Sequence, residues 1–344
     1  MTGAAARSDV AMSNIEERTR TIGRELFERI GRGSSPLERA WWDDQLMNLT
    51  LSDPDVRVQL FRFIDVLPVL RDDAAVRRHL GEYLDEAGDR VPWWLRLPLW
   101  LAPEGSVGAR ILGGVARLGA LHMARRFIAG ESPDEALETV RSLRREGLAF
   151  TADLLGEAVI SEPEAEVYQR TCINLVKGLT RPLAAEPFNP RIDRDDQGPI
   201  PRVNLSLKLT SLTARFDALH PETTADRVAA RLRPILRLAR SLGAHVHVDM
   251  EQYSHKDLTF SLFRSVMMED EFRDWRDVGI VAQTYLPDTE HDLAELASWA
   301  RERGTSVAIR LVKGAYWDYE VLLARQLGWP VPFINGSGSR LRRV

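Results

Sequence analysis

Three charged residues stand where a buried strand should carry none. Lys208 lies in VNLSLKLTSL, Asp249 in AHVHVDM and Arg310 in SVAIRLVKG, each late in a run rich in Val, Ile or Leu. Side chains alternate across a strand, so each run divides into two faces. In the first, Val203, Leu205, Leu207 and Leu209 oppose Asn204, Ser206, Lys208 and Thr210. In the second, Val246, Val248 and Met250 oppose His245, His247 and Asp249; in the third, Val307, Ile309 and Leu311 oppose Ala308, Arg310 and Val312. The apolar sets suit a layer of covering helices, which leaves the other face unusually polar for a sheet buried on both sides. Unpaired burial of charge is expensive. A ligand that needs these groups explains them; a set of structural ion pairs is the alternative.

The third run continues as RLVKGAYWD, residues 310 to 318. Lys313 and Gly314 fall where the strand turns into the next helix, and backbone N–H groups at a helix start attract anions while glycine allows close approach. This turn could hold phosphate beside the flat surfaces of Tyr316 and Trp317; an ordinary βα turn with a solvated lysine would read alike. A second constellation is His245, His247 and Asp249, which face one way as in barrel hydrolases that bind divalent metal. The later strand ends offer only Gln283 and Arg310 as further ligands, both poor, so the expected metal set is none and the histidines are read as lining or core residues. No GxGxxG follows a strand, and neither GxxxxGK[ST] nor GxSxG occurs.

The elements that must position these residues come in two textures. Residues 1–145 read as an all-helical arm, with apolar positions recurring at three and four residues in IEERTRTIGRELFERI and DVRVQLFRFIDVL. From 146 to 332 strands alternate with helices, LAFTADLLG and VGIVAQTY completing a set of about five βα units, which predicts an α/β protein with a parallel sheet. Residues 333–344 read as a linker-like tail. The chain has 344 residues, 44% of them hydrophobic, and a formal charge of −4 from 46 basic and 50 acidic side chains, so no global attraction to nucleic acid is expected. Its single cysteine, Cys172, excludes an internal disulfide, and the N-terminal stretch lacks the apolar core of a signal peptide, so a cytoplasmic protein is expected. The stretch PWWLRLPLW predicts a core cluster of Trp93, Trp94 and Trp100, peripheral contact with a bilayer being the alternative.

LLGEAV, VNLSLKLTSL, HVDMEQY, GIVAQTYLPD and above all RLVKGAYWDYE resemble, in order and spacing, the flavin-dependent proline dehydrogenase barrel of the proline utilization A type, and FRFIDVLP resembles the helical arm before it. The resemblance covers roughly residues 15 to 332. It implies a helical N-terminal arm followed by an incomplete (β/α)8 TIM-like barrel that holds FAD and oxidises L-proline to Δ1-pyrroline-5-carboxylate, passing electrons to a membrane quinone. Carried over motif by motif, Lys208 would bind the substrate carboxylate and Asp249 would join the active-site hydrogen-bond network. Gln283 would contact the isoalloxazine edge, Arg310 would lie close to flavin N5, and Lys313, Gly314, Ala315, Tyr316 and Trp317 would embrace the rest of the cofactor. Asp153 and Glu157 fall where the family places acids that pair with arginines of a last helix. The sequence after WPVPF departs from the family pattern, so weak turnover is expected. Two other readings stay open: a metal-dependent hydrolase using His245 and His247, and a non-catalytic fragment that docks on a complementing chain or on a second copy.

Overall fold

The computed structural model describes residue 15 and residues 17–28, 53–124, 128–156 and 158–333, and the chain divides into two compact units, Met1–Ile128 and Ala129–Val344. The expected tail beyond Phe333 and the Glu157 assignment lie outside the described residues.

The first unit is helical throughout its described residues, with α1 (Pro54–Val66), α2 (Asp73–Glu86), α3 (Trp93–Leu101) and α4 (Val107–Ala124) following a helical segment at 17–28. Asp53 caps α1 by accepting from the N–H groups of Asp55 and Val56, and Asp72 caps α2 through Ala75; each satisfies donors that a helix start leaves open. Val56, Leu84, Val91 and Leu99 form one small core; Phe63, Leu67 and Val76 form another. The expected tryptophan core is corrected here. Among the described side chains of α3 Leu99 is the buried one, whereas Trp93 and Trp100 are 73% and 78% exposed; the Trp94 side chain lies outside the described residues. No helix among the described residues is long and apolar enough to cross a membrane.

The second unit starts with α5 (Pro133–Arg145), which the sequence assigned to the arm. Its apolar side, Ala136, Leu137 and Val140, packs into the core of the second unit against α6 (Glu162–Ala184), so the described boundary falls before α5. A parallel five-stranded sheet runs β1 (Ala152–Asp153), β4 (Asn204–Leu207), β5 (His245–Val248), β6 (Val278–Gln283), β7 (Ala308–Val312). The skipped strands, β2 (Arg194–Asp195) and β3 (Gly198–Pro199), form a separate small hairpin. Helices α6, α7 (Pro221–Leu242), α8 (Lys256–Met267) and α9 (Thr289–Arg303) connect successive strands, and α10 (Trp317–Leu327) follows β7. Neighbours in space are neighbours in sequence, as in the wall of a β/α barrel.

The outward set behaves as the alternation predicts over most of the sheet. Leu205, Leu207, Val246, Val248, Val278 and Ile280 are at most 1% exposed and share one core with Leu179, Leu232, Leu236 and Phe263 from the helices. The exception is Leu311, 56% exposed on the edge strand β7, because α9 packs on β6. The runs are also shorter as strands than their sequences suggest: β1 pairs over two residues, and Leu209–Leu212 turns into a 3-10 helix. Lys208 and Asp249 therefore stand just past their strands' ends.

One buried ion pair fastens α5 to the loop before the hairpin. Both Nη groups of Arg144 donate to Asp193 at 2.8 Å, and Asp193, 1% exposed, also accepts from the backbone N–H of Asn189 at 2.9 Å. Burial alone would raise the Asp193 pKa, but the Arg144 hydrogen bonds, that N–H and the charges of Arg144 and Arg202 hold it below the usual carboxylate range. Arg144→Met removes two charge-assisted hydrogen bonds but leaves Asp193 the Nε of Arg202 at 3.2 Å, so it should cost about 1–3 kcal/mol in urea unfolding.

Candidate active site

Register places the polar residues in rungs across the inner face. Asp153 pairs with Ser206, Ser206 with His247, His247 with Gly279 and Gly279 with Ala308. Val281 pairs with Arg310 and Gln283 with Val312 nearer the C-terminal ends, where β/α barrels build their sites.

Arg310 leaves the edge strand β7 and crosses β6 to reach β5 and β4. Its Nη2 donates to Ser206 Oγ at 2.9 Å and is ion-paired with Asp249 Oδ1. Ser206 Oγ donates to the same Asp249 oxygen at 2.6 Å. The other carboxylate oxygen, Oδ2, lies 3.8 Å from Lys208 Nζ. That ammonium, on a residue 8% exposed, meets both oxygens of Asp153 at 3.2 Å. Two cations thus face two carboxylates. Structure brings together Lys208, Asp249 and Arg310 as the alternation implied, and it adds Ser206, which strand alternation places on this face without a role.

A second chain of contacts closes the next rung. Thr210 Oγ1 donates to Glu251 Oε2 at 2.7 Å, and Gln283 Nε2 donates to the Glu251 carbonyl at 3.1 Å. Gln283, 3% exposed, is left with Oε1 buried and unmatched, and Arg310 Nε is likewise buried without a hydrogen-bond partner. Buried polar atoms normally find partners. An acceptor and a donor on one face at the strand ends suit a flat heteroaromatic ring with polar edges, so these residues fit a bound flavin.

The turn after β7 is built on close packing. Gly314 has φ +122°, and a Cβ there would fall 2.3 Å from the Tyr285 ring. Tyr285 lies 4.2 Å from the Phe333 ring centroid, and Phe333 stacks on Trp317 at 4.5 Å with an interplanar angle of 13°. Trp317, expected to embrace a cofactor, therefore has one face already covered and is 42% exposed. Lys313 and Ala315 are exposed and Tyr316 is half-buried, immediately before α10. Tyr285 and Phe333 were not read from the sequence as site residues; the spacing of Tyr285 two positions after Gln283 was the available signal.

The histidines do not form a metal cage. His245 Nε2 and His247 Nδ1 are hydrogen-bonded to each other at 2.8 Å with stacked rings, and Asp249 is engaged by Ser206 and Arg310. The metal-hydrolase alternative finds no support in this arrangement. Burial, then the neighbouring ring and Arg310, lowers the His245 pKa from 6.5 to about 3, and burial with Arg310 lowers that of His247 to about 4. Both rings are neutral when folded, so the unfolded chain binds more protons below pH 6.5. Stability is complete above that pH and lost as the pH falls through about 4 towards 3. Each ring should cost up to about 1.4 kcal/mol per pH unit within this window. Urea midpoints taken from neutral pH to about pH 4 should show that slope, and the double variant H245Q/H247Q should flatten it.

Comparison with known proteins agrees with this geometry. The proline dehydrogenase family profile matches residues 136–337, and the proline utilization A N-terminal domain profile matches residues 16–127. The crystal structure of proline utilization A from Bdellovibrio bacteriovorus, inactivated by N-propargylglycine, superposes with a TM-score of 0.78 at 35% identity over 94% of this chain and 31% of that one. Proline dehydrogenase 1 of Bacillus subtilis is 34% identical over 193 residues, 56% of this chain and 52% of its own. The bifunctional protein PutA of Escherichia coli is 28% identical over 209 residues, 60% of this chain but only 15% of the relative's length. With a profile covering more than half its length and the polar strand-end cluster in place, the chain belongs to the proline dehydrogenase family.

Proposed function

We propose that this chain binds FAD at the C-terminal ends of β4 to β7 and oxidises L-proline to Δ1-pyrroline-5-carboxylate. The observation that carries the reading is the Lys208, Asp249, Ser206 and Arg310 cluster, with the unmatched Gln283 Oε1 and Arg310 Nε beside it. Gln283 and Arg310 would meet the ring system, and the turn Lys313–Trp317 would hold the rest of the cofactor. The chemistry a bound flavin supplies is acceptance of a hydride.

The chain's own residues bind and orient. Arg310 places fixed positive charge on the inner face, where it favours negative charge developing nearby. Asp249 and Ser206 keep that guanidinium on the sheet. Lys208 binds the substrate carboxylate by charge, without proton chemistry. To do so it exchanges Asp153 for the substrate: the Asp153 side chain is 44% exposed and can turn to solvent, whereas that of Lys208 is 10% exposed. The net charge around Lys208 is then the same before and after binding.

For this reaction the electron acceptor is a quinone, and the exposed Trp93 and Trp100 of α3 are the side chains that a membrane surface would meet from the cytoplasmic side. The test is the visible spectrum of the purified chain after incubation with FAD, followed by anaerobic L-proline. Uptake of one FAD with flavin absorbance that L-proline bleaches supports the reading; a colourless protein that takes up no FAD overturns it.

A further inference from the structure

Ser206 is 2% exposed and lies on β4, three strands away from β7 in the sheet order, yet it touches Arg310. We propose that Ser206 is a positioning residue that sets the aim of the Arg310 guanidinium; its consequence for catalysis rests on the flavin reading above. The three atoms Arg310 Nη2, Ser206 Oγ and Asp249 Oδ1 contact one another in a closed triangle. Within it the hydroxyl has only one permissible orientation. A guanidinium donates and never accepts, and an ionised carboxylate accepts and never donates. The single Ser206 proton therefore goes to Asp249, and the oxygen lone pair receives Arg310. This divides the duties of Asp249: Oδ1 serves Ser206 and Arg310, and Oδ2 faces Lys208.

Without the hydroxyl, nothing distinguishes that shared geometry from a parallel, two-bond pairing of Arg310 with Asp249, which carboxylates and guanidinium groups otherwise prefer. The Arg310 side chain is 36% exposed, so it also has room to turn towards water. A methyl in place of the hydroxymethyl removes one donor and one acceptor from a site that water does not readily refill, since Ser206 is almost fully enclosed.

The experiment is nitrogen NMR of the Arg310 guanidinium in the full chain, its resonances identified by their loss in Arg310→Met. Native protein should show separate, slowly exchanging Nη signals. Ser206→Ala should merge or broaden them, and Ser206→Thr, which keeps the hydroxyl, should restore them. In FAD-loaded protein, Ser206→Ala should slow single-turnover reduction by L-proline about 10- to 100-fold while the half-saturating proline concentration moves less than about twofold. Unchanged guanidinium signals in Ser206→Ala, or Ser206→Thr behaving like Ser206→Ala, would overturn the proposal. If Ser206→Ala folds poorly, Ser206→Cys makes the same comparison, because a thiol fills the space but accepts weakly: merged signals support the role and separate ones oppose it. Failure of FAD binding with the expected NMR pattern would defeat the flavin reading and leave the positioning role standing.

Discussion

Arg310→Met is expected to leave a folded protein that still takes up FAD but whose flavin L-proline reduces about 10²- to 10³-fold more slowly, the range lost when one preorganised electrostatic group is removed. Methionine matches the length and most of the volume of the arginine stem, so the inner face stays filled. What disappears is a positive charge on the face that carries the unmatched Gln283 Oε1, and with it the Nη2 contacts to Ser206 and Asp249. A measurement independent of turnover separates charge from packing. A cation near a flavin favours its anionic reduced form, so the two-electron midpoint potential should fall by about 30–60 mV in the variant, equivalent to one hydrogen bond to a charged group. Arg310→Lys should recover part of the potential and little of the rate, because a lysine keeps the charge but cannot reach Ser206 and Asp249 with a planar fork. A variant that reduces at the native rate would show that Arg310 serves only to pair Asp249.

The polar inner face was legible because a parallel strand buried on both sides should be apolar throughout, and Lys208, Asp249 and Arg310 break that rule at equivalent positions. Their side of the sheet followed from alternation alone. Their partners did not. The resemblance implies arginines of a later helix as partners of Asp153; within the described residues its carboxylate pairs with Lys208, which depends on the β1–β4 register that sets Asp153 beside Ser206. Ser206 was seen on the polar face but gave no sign of its role, since its partners lie 43 and 104 residues away and a serine hydroxyl suits many settings. Element ends were harder still. The run LAFTADLLG reads as a full strand yet pairs over two residues, because pairing requires a partner in register as well as an apolar pattern. The tryptophans of α3 illustrate the same limit from the other side: apolar composition says that a face needs cover, and only packing says whether the described chain supplies it.

Gly314→Ala is expected to displace the turn that follows β7 and to cost about 2–6 kcal/mol, adding the strain of a backbone conformation that side-chain-bearing residues avoid to the overlap of an added methyl with a buried ring. Both contributions are visible: φ is +122°, and the new Cβ would lie 2.3–2.5 Å from three ring atoms of Tyr285. The ring cannot retreat easily. It is 7% exposed, it packs on Phe333 with ring centroids 4.2 Å apart, and Phe333 in turn stacks on Trp317 at 4.5 Å. A double-mutant cycle distinguishes the two causes. Tyr285→Ala removes the ring, so in that background Gly314→Ala should retain only its backbone strain and become cheaper by about 1–3 kcal/mol in urea unfolding. An equal cost in both backgrounds would mean that the ring contact contributes nothing and that backbone conformation alone demands glycine. FAD titration of Gly314→Ala then connects stability with function. If Lys313 to Trp317 cradle the cofactor, a turn pushed off Tyr285 should weaken FAD binding even at temperatures where the sheet remains folded, because the ion-paired cluster on β4, β5 and β7 does not depend on that turn for its contacts.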